Sequence, residues 1–194
     1  GWDGVRITDL GSTEGREVLG KSVQEVANER GQEPVDTALD LVVRGNGYVG
    51  ICTFSMNQED TDKVLTHRLC SICTDASTRA PYGPLSKSCP HPRSYGTFPR
   101  FISEYVRDRK LVPMHEAVRR MCALPARQYR LKQRGMIRED YWADIVVLDL
   151  ESLEDRACYG NPHHYPAGVD YVVVNGKTVI RQGEHTDALP GVML

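Results

Sequence analysis

The sequence predicts an α/β fold, with helices and parallel strands first and antiparallel β structure after them. Three observations carry this. Apolar residues recur at helical spacing at Val35, Ala38, Leu39 and Val42, and again at Phe98, Phe101, Ile102 and Tyr105. Between these stretches, the apolar run 48–54, a helix opened by Asn57 and the run 69–74 follow one another with short links, the order of a parallel βαβ unit. Near the end, Asn175-Gly176 separates two β-like runs, because that dipeptide accepts the positive φ angles of a tight hairpin turn.

The elements follow in order. Residues 5–10 alternate apolar and polar side chains, the pattern of a half-buried strand. Ser22 and Glu25 have the spacing of a capping box, opening a helix with Val23, Val26 and Ala27 on its inner face and Gly31 at its end. Pro34 starts the next helix, and Gly45 and Gly47 close it. Residues 48–54 form a compact buried strand, and the helix after Asn57 turns Thr61, Val64 and Leu65 inward. The run 69–74 is a second, parallel strand that ends at Asp75. Residues 76–96 hold four prolines (Pro81, Pro84, Pro90, Pro92) and little periodicity, so they are a long loop, the kind that usually serves a function. A helix through Phe98 and Tyr105, a second with Met114, Ala117, Val118 and Met121, and a short one at Leu124-Pro125-Ala126 come next. From Gly135 the pattern is β, with a strand at 143–149 and the hairpin 171–180.

Composition limits the function. Charged residues make up 26% and the formal net charge is -2, without the basic excess of a nucleic-acid binder. No apolar run is long enough for a transmembrane helix, and no charged segment followed by an apolar stretch opens the chain as a signal peptide would. The six cysteines are scattered through a chain with 40% apolar residues, so reduced thiols and a cytoplasmic location are expected.

Asp75 and the segment His91-Pro92-Arg93-Ser94-Tyr95-Gly96-Thr97-Phe98-Pro99-Arg100 are the candidate chemistry. A carboxylate just past a buried strand stands where parallel α/β folds gather their active sites, although an Asp there also caps turns. Arg93 offers a planar fork that can grip both oxygens of a carboxylate, whereas the plainer alternative for the segment is a solvated basic loop. Cys70, Cys73, Cys89 and His91 have the ligand types of a structural zinc site, but 71–72 continues an apolar run and a strand would turn the first two cysteines to opposite faces. His163-His164 has the residue types of a metal ligand pair, but the stretch 161–166 reads as a polar loop.

Together these segments resemble the end of a D-aminoacylase, the N-acyl-D-amino-acid deacylase branch of the amidohydrolase superfamily. The residues that carry the likeness are Thr74-Asp75, the His91 to Arg100 segment, Glu116-Ala117-Val118-Arg119-Arg120-Met121, Leu124-Pro125-Ala126 and Arg134-Gly135-Met136-Ile137-Arg138-Glu139. They continue with Tyr141-Trp142-Ala143-Asp144-Ile145-Val146-Val147, Val174-Asn175-Gly176 and Gly183-Glu184-His185-Thr186. The resemblance implies the end of a (β/α)8 barrel over residues 48–130 and the C-terminal part of a small β-sandwich over 131–194. Residues 1–47 would be a small insert near the barrel mouth.

The resemblance also implies a zinc enzyme that hydrolyses N-acyl-D-amino acids. Asp75 is implied as the catalytic proton carrier and a possible metal ligand, with Arg93, His91 and Tyr95 as substrate-binding residues. Two departures stand out. The family's Gly-Ser-Asp-Gly is Cys73-Thr74-Asp75-Ala76 here, and the loop 76–90 is longer. The family's His-x-His and its other metal ligands have no counterpart in these residues. The chain is therefore expected to be a fragment that is inactive and zinc-free alone, completed by an N-terminal part of the enzyme or by self-association. A non-catalytic remnant or interaction module of the same fold is the alternative.

Overall fold

A computed structural model describes all 194 residues. The chain divides into two compact units. The first comprises Gly1–Gln58, Asp75–Tyr95 and Ala157–Tyr165, and the second Glu59–Thr74, Gly96–Arg156 and Pro166–Leu194.

In the first unit, strand β1 (Val5–Leu10) pairs antiparallel with β2 (Val49–Thr53), with a register shift between Ile7 and Asp9. Helix α1 (Val23–Arg30) starts on the expected capping box: the Ser22 hydroxyl accepts from Glu25 N–H at 3.0 Å, and the Glu25 carboxylate accepts from Ser22 N–H at 2.6 Å. Ile7, Val18, Val23, Val26 and Leu41 form the core.

Helix α2 (Pro34–Arg44) is where expected but rotated. Thr37 and Leu41 are its buried residues and Ala38 packs on the core, while Val35, Leu39 and Val42 are exposed. Arg30 of α1 pairs with Asp40 of α2 at 2.7 Å. The run 48–54 is likewise less buried than expected, since β2 belongs to a two-stranded sheet and Ile51 and Phe54 are exposed.

The expected second parallel strand does not form. Residues 69–74 follow helix α3 (Gln58–Thr66) with no strand partner, and both sheets of the structure are antiparallel throughout. Arg120 explains this. It is fully buried, donates Nε to Cys70 O at 2.8 Å and Nη2 to Leu65 O, and its own carbonyl accepts Ile72 N–H. The Arg120 side chain thus takes the Cys70 carbonyl and its backbone takes the Ile72 N–H, two hydrogen bonds a neighbouring strand would have taken. Ile72 enters the core of the second unit with Phe101, Tyr105, Val112 and Ala117. In α3, Leu65 packs on that core whereas Val64 is exposed.

The helical stretch after the long loop begins earlier than its apolar spacing suggests. Helix α4 (Arg93–Arg100) runs into a π-helical turn, Phe101–Asp108, and α5 (Met114–Val118) into another, Arg119–Ala123, before α6 (Leu124–Gln128). Each wide stretch adjoins a proline, Pro99 or Pro125, whose missing N–H interrupts the regular ladder. Phe98 and Val118 are exposed, so the inward stripe is narrower than the sequence spacing implies.

Strands β3 (Ile145–Leu148), β4 (Val169–Val174), β5 (Lys177–Arg181) and β6 (Glu184–His185) form one antiparallel sheet in sequence order. The expected hairpin is present, with Asn175 and Gly176 at φ 49° and 80°. Asn175 Oδ1 accepts from Arg134, and Asp144 accepts from Asn175 N–H at 2.8 Å, tying the turn to the start of β3.

Candidate active site

Asp75 and Arg93 meet within the first unit. Asp75 sits at φ 44°, a left-handed conformation that Asp tolerates better than most residues. This turn aims both its carbonyl and its carboxylate at one guanidinium. Arg93 donates Nε and Nη2 to the Asp75 carbonyl at 3.1 and 2.9 Å, and Nη2 to Oδ2 at 2.7 Å. Both side chains are open to solvent, 45% for Arg93 and 80% for Asp75, so the ion pair itself contributes only about 0–1 kcal/mol. A pair this weak can exchange partners.

His91 and Tyr95 flank Arg93 and have partners of their own. His91 Nδ1 accepts the Arg93 backbone N–H at 3.0 Å, and its Nε2 lies 2.9 Å from the Tyr159 hydroxyl. Tyr95 bonds through its hydroxyl to His163 Nδ1 at 2.8 Å. Burial pushes the Tyr95 phenol above its ordinary pKa, and nearby Arg79 pulls it back in part. His163 Nε2 reaches Ser88 O at 2.6 Å, and Arg79 donates to the Ser88 hydroxyl at 3.0 Å.

Tyr159 and His163 were not singled out by residue chemistry, since His163 sits in a polar stretch. Each bonds to a partner 68 residues away, so no local pattern in the sequence pairs them.

The residues do not compose a metal centre. No three His, Cys, Asp or Glu side chains converge on a point that could hold a metal ion. A catalytic zinc takes three protein ligands, and the carboxylate assigned to it here is turned to Arg93. None of the six cysteines is in a disulfide. Cys70 and Cys73 belong to one unit and Cys89 and His91 to the other. Burial raises the Cys52 and Cys89 thiols, opposed by Arg93 and Arg6 at Cys52, and by the Gly160 N–H and Arg6 at Cys89.

The model of the amidohydrolase family matches residues 83–180, a span that begins in the long loop and ends in β5. The chain belongs to the amidohydrolase family. It is 35% identical over 180 residues to the N-acyl-D-glutamate deacylase of Alcaligenes xylosoxydans xylosoxydans, covering 93% of this chain and 34% of that protein. The N-acyl-D-aspartate deacylase of the same organism is 33% identical, with 92% and 33% covered.

Among solved structures, N-acyl-D-glutamate deacylase from Bordetella bronchiseptica, complexed with zinc and a phosphonate mimic of the tetrahedral intermediate, superposes with a TM-score of 0.80. Sequence identity is 32%, over 94% of this chain and 35% of that one. A D-aminoacylase studied for its binuclear metal centre also gives 0.80, at 31% identity. This amidohydrolase chain thus spans about a third of the length of its relatives. Mixed helix and sheet content agrees with the expected α/β class. No helix is long and apolar enough to cross a membrane.

Proposed function

We propose that the chain is the carboxy-terminal part of a zinc-dependent deacylase that cleaves the amide of N-acyl-D-amino acids, and that it supplies proton transfer and carboxylate binding. The single observation that carries this is the convergence of Asp75 and Arg93, two residues chosen by resemblance and 18 positions apart, on each other. Asp75, exposed and held only by a weak surface ion pair, takes a proton from the attacking water and passes it to the leaving amine. Arg93 releases Asp75 and grips the substrate carboxylate with the same fork, while His91 and Tyr95 shape the loop around it. The metal ligands come from outside these residues, so the chain alone does not turn over substrate.

In this proposal residues 48–130 contribute to the end of the barrel, residues 131–194 to the sandwich, and residues 1–47 to the insert at its mouth. A second reading, a non-catalytic interaction module, has one observation in its favour: no residue of the β3–β6 sheet is buried.

The test is complementation. The chain is joined to the complementary portion of the N-acyl-D-glutamate deacylase, with that enzyme's own matching segment as the control. Zinc-dependent hydrolysis that Asp75→Asn abolishes supports the deacylase. If the control segment restores activity and this chain does not, the module reading stands instead.

A further inference from the structure

We propose that Tyr159 and His163 are positioning residues for Arg93, acting through His91 and Tyr95; this rests on Arg93 being the carboxylate clamp. Two imidazole–phenol pairs bracket Arg93, and they are crossed. The Arg93 segment contributes the imidazole of one pair (His91) and the phenol of the other (Tyr95). The segment Ala157–Tyr165 contributes the reverse, Tyr159 and His163. The rings of both pairs meet edge to face, at 76° and 79°.

Third groups fix the direction of each bond. His91 Nδ1 accepts the Arg93 backbone N–H, so the neutral ring carries its proton on Nε2 and donates it to the Tyr159 oxygen. His163 Nε2 faces the Ser88 carbonyl, which only accepts, so that nitrogen carries the proton. Its Nδ1 is then the acceptor for the Tyr95 hydroxyl. Both imidazoles therefore adopt one tautomer, and in both the Nδ1 atom receives a hydrogen bond from the Arg93 segment. The segment is held at the Arg93 backbone N–H and again, two residues on, at the Tyr95 hydroxyl.

The segment that holds it is itself anchored. Pro162 is fully buried, and Tyr159 packs its ring 4.6 Å from that of Phe54. Gly160 approaches Gly20 so closely that a Cβ on Gly20 would lie 2.9 Å from the Gly160 Cα. A rigid strap at these points leaves the Arg93 fork fewer orientations to lose when a ligand carboxylate arrives.

The experiment compares binding of N-acetyl-D-glutamate with binding of its α-carboxamide analogue by NMR titration of the chain. The unmodified chain should prefer the carboxylate, and Arg93→Ala should remove the preference. Tyr159→Phe, which keeps the ring against Phe54, and His163→Leu should each weaken carboxylate binding by roughly tenfold, the effect of one lost hydrogen bond, and leave carboxamide binding unchanged. His163→Gln supplies an acceptor and a donor in similar places and should recover most of the preference. If the unmodified chain shows no preference, or Arg93→Ala retains it, the clamp reading falls and the inference with it. If the clamp behaves as expected but folded Tyr159→Phe and His163→Leu bind like the unmodified chain, or lose both ligands equally, the positioning role is overturned while the clamp stands.

Discussion

Arg93 holds Asp75 by two different groups, the carboxylate at 2.7 Å and the main-chain carbonyl at 2.9 and 3.1 Å. The two residues assigned to different tasks are therefore each other's partners before any substrate arrives. A ligand carboxylate competes with the Asp75 carboxylate for Nη2, and where it takes Nε as well it also displaces the carbonyl. Asp75→Asn removes the rival charge and keeps the carbonyl, so the chain should bind N-acetyl-D-alanine more tightly, by up to about fivefold, the worth of an exposed ion pair. Calorimetric or NMR titration reads this; weaker binding in Asp75→Asn would show that the carboxylate helps to shape the ligand site.

Gly96 is buried in α4, and a Cβ placed there would fall 2.0 Å from Asp155 Oδ1 and 2.1 Å from its Cγ. The Asp155 side chain is short and cannot swing far, so Gly96→Ala must push the carboxylate off the helix. Despite the better helix propensity of Ala, the substitution should destabilise the chain by about 1–3 kcal/mol in denaturant unfolding. Unchanged or raised stability would mean that Asp155 relocates without loss.

Much of the local structure was legible because local chemistry decides it. Ser22 and Glu25 announce α1, and Asn175-Gly176 announces the β4–β5 turn, since each feature is closed by neighbours in sequence. The run 69–74 was not legible for the opposite reason. Cys70 O and Ile72 N–H both bond to Arg120, some 50 residues away, and an apolar run gives no sign of which distant group will satisfy it. The rotation of α2 follows the same logic: Val35, Leu39 and Val42 make the better sequence stripe, yet Thr37 and Leu41 are the buried residues. The site was half legible. Asp75 and Arg93 are marked by a motif, whereas Tyr159 and His163 lie in a segment whose partners, His91 and Tyr95, are distant in sequence.

The α1 capping box predicts an acid dependence. Glu25 is held below its ordinary pKa chiefly by the Ser22 backbone N–H it accepts, with burial opposing. A carboxyl whose folded value is depressed stabilises the fold above its unfolded value, about 4.3, and the gain is lost as pH falls through the folded value. Glu25→Gln should flatten the stability curve in that acid window and change it less at neutral pH, while Ser22→Ala should cost about 1 kcal/mol. Urea unfolding at a series of pH values measures both; an unchanged acid slope in Glu25→Gln would remove the box as its source.

If Asp75 moves the proton and Arg93 holds the carboxylate, the two residues fail differently when changed. The decisive measurement is steady-state kinetics on N-acyl-D-amino acids with the chain completed by the metal-binding portion of a relative. Asp75→Asn should collapse kcat by at least about 100-fold, the worth of a proton carrier, with KM altered only a few-fold. Arg93→Ala should lower kcat/KM by about ten- to a hundredfold, the loss of a charged hydrogen-bond pair, with Arg93→Lys recovering only part because the fork is gone. An Asp75→Asn enzyme that turns over at the unmodified rate, or an Arg93→Ala enzyme that handles the acid as well as the unmodified one, would contradict the account.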